Sequence, residues 1–232
     1  MVWRFVQEEF TPPPRDRGKP NSGFWDGLKL VVHDGRLVSL FSVRVIVRLA
    51  IRTIGPILPL FVQSLIPAAT RIASITGLIT GAQAATSAIG AVTLGRASDR
   101  LGYRRVLLAC TVCAAILYVP QFLVTTPWQL LILQAAVGFV MSGVLASISA
   151  LLANLAPEGR QGAVYGVDAS VVSIANGVGP MLGATLAASL GLRTPFLLSA
   201  IALGLASILA WLLVPGTVHK ESPGTQGPED SA

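Results

Sequence analysis

Six long apolar stretches follow one another along the chain, separated by short polar segments. They cover residues 37–62, 72–94, 106–124, 128–152, 162–190 and 196–214. Each has room for the roughly 20 apolar residues that a helix needs to cross a bilayer. None shows the alternation of apolar and polar residues that is typical of a membrane β-strand. In lipid such a segment satisfies its backbone as a helix. The pattern therefore predicts an all-α, polytopic membrane protein with six transmembrane helices.

Turn and capping residues divide the chain further. Thr126-Pro127 and Thr194-Pro195 each place a capping hydroxyl before a first-turn proline, which favours a helix start. Residues 1–35 contain a Pro-rich charged linker and a short mixed stretch typical of an interfacial helix. We therefore expect a cytoplasmic linker and interfacial helix at 1–35 and a six-helix transmembrane domain at 36–215. The polar residues 216–232 are predicted to form a disordered cytoplasmic tail.

The composition excludes several classes of function. Hydrophobic residues make up 53% of the 232 residues and charged residues 12%, about half the charged share of a soluble domain. Mean hydropathy is +0.68. The 17 lysines and arginines form no single basic face, so the net charge of +6 does not indicate nucleic acid binding. The chain has no phosphate-binding loop and no cluster of metal-ligating residues. We expect no enzyme activity, cofactor or metal.

Lysine and arginine also predict the orientation in the membrane. Twelve of the 17 fall on one side of this topology, two fall on the other side, and three lie inside the first span. Cytoplasmic loops are the ones enriched in these residues. Both termini are therefore expected in the cytoplasm of a multi-pass protein of the inner (plasma) membrane. No cleavable signal peptide is visible, because more than thirty mostly polar residues precede the first span.

The segment between the second and third spans carries the most specific motif. It reads GRASDRLGYRR at residues 95–105 and resembles the signature loop of the major facilitator superfamily. Ala97 stands where that pattern usually has leucine. Glycines permit a tight turn between helices, an acid can bond free N–H groups at a helix N-terminus, and arginines favour an anionic membrane surface. The resemblance implies a conformational-switch loop whose matching residues are Gly95, Asp99, Arg100, Gly102 and Arg104.

A second match lies in the fifth span. Residues 179–184 read GPMLGA, similar to the Gly-Pro-x-x-Gly-Gly motif that the drug:proton antiporters of this family carry in a fifth helix. Gly179, Pro180 and Gly183 match, and Ala184 replaces the last glycine. Small residues permit close helix packing, and a proline permits a kink. Generic packing in a membrane helix is the alternative explanation.

The family has twelve spans in two six-helix halves, each built of two inverted three-helix repeats. The first ten residues resemble the end of a sixth helix, and residues 55–62 resemble the end of a seventh. The chain thus resembles the C-terminal half of a bacterial multidrug efflux transporter.

That resemblance implies proton-driven export of small lipophilic drugs or cations, and a second six-helix half as partner, either an N-terminal half or a second copy. A metabolite or sugar importer and a non-transporting truncated fragment remain alternatives.

Charged residues inside the predicted spans are candidates for the transport pathway. Arg44, Arg48 and Arg52 repeat every four residues and share one helix face. An arginine at mid-depth costs about 2.5–3.5 kcal/mol to insert, so we expect Arg48 and Arg52 to line a cavity. Asp168 in the fifth span lies at nearly the depth of Arg44. It is either a proton carrier or a structural partner of Arg44 or Arg48.

Three amides complete the set of candidates. Gln83, Gln134 and Asn176 lie at membrane depth in the second, fourth and fifth spans. Each either contacts substrate or forms a hydrogen bond between helices.

Overall fold

A computed structural model describes Lys29 and residues 31–66, 71–157 and 160–213. All the regular structure among these residues is helical, which confirms the predicted fold class. The predicted tail at 216–232 and almost all of the predicted linker and interfacial helix at 1–35 lie outside the described residues. The part of 1–35 that is described includes Val31, which is buried in the core.

The helices follow the predicted spans closely. They are α1 (Gly35–Ile54), α2 (Ile57–Leu65), α3 (Ile72–Leu101), α4 (Tyr103–Gln121), α5 (Pro127–Leu155), α6 (Gln161–Leu190) and α7 (Thr194–Leu213). Five of them are long and apolar enough to cross a membrane, and α1 with α2 forms a sixth span bent by 44°. We refer to α1–α2 as the first span and to α3 to α7 as the second to sixth spans.

The bend in the first span lies at Gly55 and Pro56. Proline has no N–H to donate to the preceding turn, and its ring clashes with that turn, so a helix breaks there. The chain resumes as α2 directly after Pro56. Phe61 in α2 packs against Phe196 of α7, with ring centroids 5.0 Å apart, and so anchors the outer part of the bent span.

The second span is longer than the sequence predicted. We expected a loop at residues 95–105, but α3 continues to Leu101 and only Gly102 separates it from α4. Gly102 has a φ of 93°, a conformation that glycine adopts without strain. The predicted loop is wrong for a physical reason. Polar residues mark the point where the apolar stretch ends, but the helix itself can continue beyond the membrane into water. The hydroxyl of Ser98 also bonds back to the carbonyl of Gly95 at 2.6 Å.

The packing of the spans repeats itself within the chain. The first span packs on the fifth and sixth, while the fourth packs on the second and third, and the third and sixth pack on each other. Exchanging spans one, two and three with four, five and six leaves this set of neighbours unchanged. This is the arrangement expected of two inverted three-helix repeats.

The second and fifth spans are the most exposed. In their most apolar stretches only 11% and 17% of residues are buried, against 33–44% in the other three straight spans. They flank the first and fourth spans, and much of their surface meets no other described part of the chain.

Candidate functional site

An ion pair joins the first and fifth spans. Arg44 of α1 and Asp168 of α6 are both buried. Arg44 Nη2 donates a hydrogen bond to Asp168 Oδ2 at 2.7 Å, and Arg44 Nε contacts Asp168 Oδ1. The pair is therefore held by one charge-assisted hydrogen bond and by the close approach of the guanidinium to the second carboxylate oxygen. Of the two partners left open by the sequence, the structure gives Asp168 to Arg44.

Arg48 and Arg52 continue the same face of α1 toward its bend. Arg48 is partly buried, and its Nε is buried without a hydrogen-bond acceptor among the described residues. Arg52 is exposed. The only other acids that the structure describes, Asp34 and Asp99, lie at helix ends rather than at membrane depth. Within the described ranges, two positive side chains at membrane depth thus have no carboxylate of their own.

The glycine motif of the fifth span lies against the end of α1. A methyl group placed on Gly179 would lie 2.5 Å from Cβ of Arg52, and one placed on Gly183 would overlap the carbonyl oxygen of Thr53. Both glycines are buried. Pro180 removes the hydrogen bond that the carbonyl of Asn176 would otherwise accept. The motif thus brings α6 into backbone contact with α1 just before the first span bends.

Hydroxyl groups and a close contact at a glycine connect the second and fourth spans. Thr86 Oγ1 donates to the carbonyl of Ala135 at 2.7 Å, and Ser87 Oγ donates to the carbonyl of Gly138 at 2.8 Å. A methyl group on Gly138 would overlap the carbonyl oxygen of Gln83. Backbone contact at a glycine therefore joins second to fourth span as it joins fifth to first.

The three candidate amides occupy different environments. Gln134 is buried, and its Oε1 has no hydrogen-bond partner among the described residues. Gln83 is partly buried against the fourth span, whereas Asn176 is exposed. Among the described residues no hydrogen bond joins these amides to one another or to the arginines. Their roles in transport stay predictions.

The signature motif lies at the helix junction rather than in an open loop. Gly95, Asp99 and Arg100 belong to the last turns of α3. Asp99 accepts a hydrogen bond from the hydroxyl of Tyr103 at 2.9 Å, across the Gly102 turn. Arg104 Nη2 donates to the carbonyl of Trp211 at 2.6 Å. Arg104 therefore holds the start of the third span to the end of the sixth.

The opposite ends of the same two spans are held in the same way. Arg193 donates to the carbonyls of Phe122 at 3.0 Å and Val124 at 3.1 Å, where the third span ends. It follows Gly191, whose φ is 100°. No prediction from the sequence covers this role of Arg193. The signal was present, because residues 101–104 read LGYR and residues 190–193 read LGLR, at equivalent places in the two repeats.

Comparisons with known proteins place this architecture in a family. A model of the Major Facilitator Superfamily matches residues 40–231. The chain belongs to the major facilitator superfamily. This confirms the resemblance drawn from the two motifs. Members of this superfamily are membrane transporters and not enzymes, so the chain is a multi-pass protein of a transporter family.

Individual relatives are bacterial multidrug resistance proteins. The chain is 30% identical over 224 residues to "Multidrug resistance protein MdtG" of Dickeya zeae (strain Ech586), covering 95% of this chain and 54% of that protein. It is 34% identical over 164 residues to the protein of the same name from Enterobacter lignolyticus (strain SCF1), covering 71% of this chain and 39% of that protein. The chain thus spans about half the length of the curated relatives it matches.

Proposed function

We propose that this chain forms one six-helix half, the C-terminal one, of a proton-coupled multidrug exporter. Its likeness to multidrug resistance proteins carries the proposal, because nearly all of the chain aligns with about half of such a protein. The antiporter-type motif at Gly179, Pro180 and Gly183 also supports export, since it lies at the backbone contact between the fifth span and the bend of the first.

A second six-helix half completes the transporter in this proposal. Substrate binds near the midplane between two halves, and rocking of the halves exposes it to each side in turn. The exposed fifth span packs on the first, which carries Arg48 and Arg52, and the exposed second span packs on the fourth. These two exposed spans form the surface that meets the other half. The partners are thus the lipid bilayer, a small-molecule substrate, protons and that half.

The proposal also assigns an orientation in the membrane and a role in the transport movement to the junction between the second and third spans. Both termini lie in the cytoplasm, and the membrane is the bacterial inner membrane. The junction formed by Gly95, Asp99, Arg100, Gly102 and Arg104 then lies on the cytoplasmic side. As the halves rock, the Arg104 bond to the end of the sixth span keeps the second and third spans moving with their own half.

Drug efflux from everted membrane vesicles tests this function. Vesicles are prepared from cells that express the chain alone, the chain with a candidate N-terminal half, or that half alone. A proton gradient is imposed, and accumulation of a fluorescent drug is followed before and after an uncoupler. We expect gradient-driven accumulation when both halves are present and none with either half alone.

Two results would contradict the proposal in different ways. Gradient-driven transport by the chain alone would show that six helices suffice and that no N-terminal half is needed. No transport with any N-terminal half, although both proteins reach the membrane, would favour a chain that does not transport.

A further inference from the structure

We propose that Arg48 and Arg52 bind the acidic group of the substrate, so that the cargo is an organic anion with an apolar body. The chemical class is a carboxylate, sulfonate or phosphonate. This inference rests on the proposed function, because it needs the exposed face of α1 to line the translocation pathway.

The charge balance of the first span is the first argument. The ion pair with Arg44 balances the single negative charge of Asp168, so this carboxylate does not also neutralise Arg48 and Arg52. The described residues hold no other acid at membrane depth. Arg48 and Arg52 therefore leave an uncompensated positive charge of two on one helix face. A protein keeps such charges in the membrane where they meet water or an anion.

The geometry of the two side chains is the second argument. They are separated by four residues, about one helical turn or 6 Å along the axis, and they project from the same face. Two guanidinium groups at this spacing can donate to the oxygens of one acidic group. Arg48 Nε is buried and has no acceptor in the described part of the chain. A bound oxyanion would supply that acceptor.

The surroundings suit an apolar body attached to the acid. Val45 and Leu49 are partly exposed and lie beside the arginines on the same side of α1. The buried contact of Gly179 with Arg52 Cβ closes the other side with the backbone of α6. An anion here would sit in surroundings poorer in water than the surface, where its attraction to the arginines is stronger.

Binding of two probes that differ in the sign of their charge tests the inference. The purified full chain is placed in lipid nanodiscs and titrated in a calorimeter with naphthalene-1-acetate or with trimethyl(1-naphthylmethyl)ammonium. We expect saturable binding of the anion only. Arg48→Gln and Arg52→Gln should each weaken it about tenfold, the effect of losing one charged hydrogen bond.

Arg71→Gln is the matched control, because Arg71 is exposed at the start of α3 and does not belong to the arginine face of α1. It should bind the anion as tightly as the parent does. Size-exclusion profiles of all variants should match that of the parent, since replacing an unpaired membrane arginine by glutamine removes a cost of insertion.

Three outcomes would overturn the inference. The first is that the cation binds as tightly as the anion. The second is that neither Arg48→Gln nor Arg52→Gln weakens binding of the anion. The third is that neither probe binds. A separate experiment addresses the alternative that a second half supplies carboxylates to these arginines. Adding a candidate N-terminal half would then abolish anion binding while drug efflux persists, which would also overturn it. Saturable anion binding without vesicle efflux would instead refute the proposed function and retain the site.

Discussion

The pairing of Arg44 with Asp168 makes one residue decisive for the stability of this half. We expect Asp168→Asn to leave the Arg44 guanidinium buried without its counter-charge. Breaking a buried ion pair by removing one partner typically costs about 3–5 kcal/mol. The midpoint of thermal unfolding in detergent, measured by loss of the monodisperse size-exclusion peak, should fall well below that of the parent.

A double variant provides the control. Arg44→Met combined with Asp168→Leu removes both charges and fills the site with apolar side chains, which is often neutral for stability. Its unfolding midpoint should return close to that of the parent. An Asp168→Asn protein as stable as the parent would contradict the structural role. If the double variant is as stable as the parent but its efflux no longer depends on pH, Asp168 also acts as a proton carrier.

The roles of some of these residues could be predicted from the sequence, and those of others could not. The Arg44–Asp168 pair could be anticipated, because both residues lie about two turns from the same end of their spans. The surplus charge of Arg48 and Arg52 was likewise visible in the four-residue spacing. The state of Gln134 was not, because burial of an amide depends on the rotation of its helix within the bundle. Arg193 was missed because its role shows only when the two repeats are compared.

At the scale of the helices, glycines set how closely two spans approach. Gly183 lies on the backbone of Thr53, with no space for a methyl group. We expect Gly183→Ala to push α6 away from α1. Overpacking of this kind costs about 1–3 kcal/mol. The unfolding midpoint of the variant should fall, and gradient-driven efflux in the presence of a second half should fall with it.

Gly177→Ala is the matched control on the same helix. A methyl group on Gly177 would meet nothing within 4 Å. Alanine also has a higher helix propensity than glycine, by up to about 1 kcal/mol. This variant should be as stable as the parent or slightly more stable. Equal loss of stability in both variants would show that the antiporter-type motif acts through something other than the contact with Thr53.

The number and order of the helices could be predicted from hydropathy, but two of their details could not. The end of α3 was misplaced by seven residues, because hydropathy marks where a helix leaves the lipid and not where it stops. The proline at the Gly55–Pro56 break is present in the sequence, yet neither the 44° angle of the bend nor the packing of Phe61 against Phe196 beyond it follows from hydropathy.

At the scale of the whole molecule, the two repeats use the same devices. A glycine contact joins the fifth span to the first and the second span to the fourth. An arginine two residues after a positive-φ glycine joins each end of the third span to the sixth. These contacts lie between spans within this half. They leave the small residues Gly77, Gly81 and Ala85 of α3 exposed, although their four-residue spacing is typical of a helix–helix interface.

Gly81→Leu tests whether a second half covers this surface. A methyl group on Gly81 would meet nothing within 4 Å, so the larger side chain should leave this half folded. It would hold an approaching helix away, since close approach in membranes relies on small residues. We expect an unchanged unfolding midpoint for the chain alone and a several-fold lower recovery of a tagged N-terminal half in pull-down from membranes.

Gly204→Leu supplies the comparison, because Gly204 also has open space around it but lies on α7, in the span that packs behind the first and third. In the proposed transporter this surface meets lipid. The variant should recover the second half as the parent does. If Gly81→Leu and Gly204→Leu recover it equally, the exposed stripe of the second span faces lipid, and the two halves meet through the fifth span or through the rims of the cavity instead.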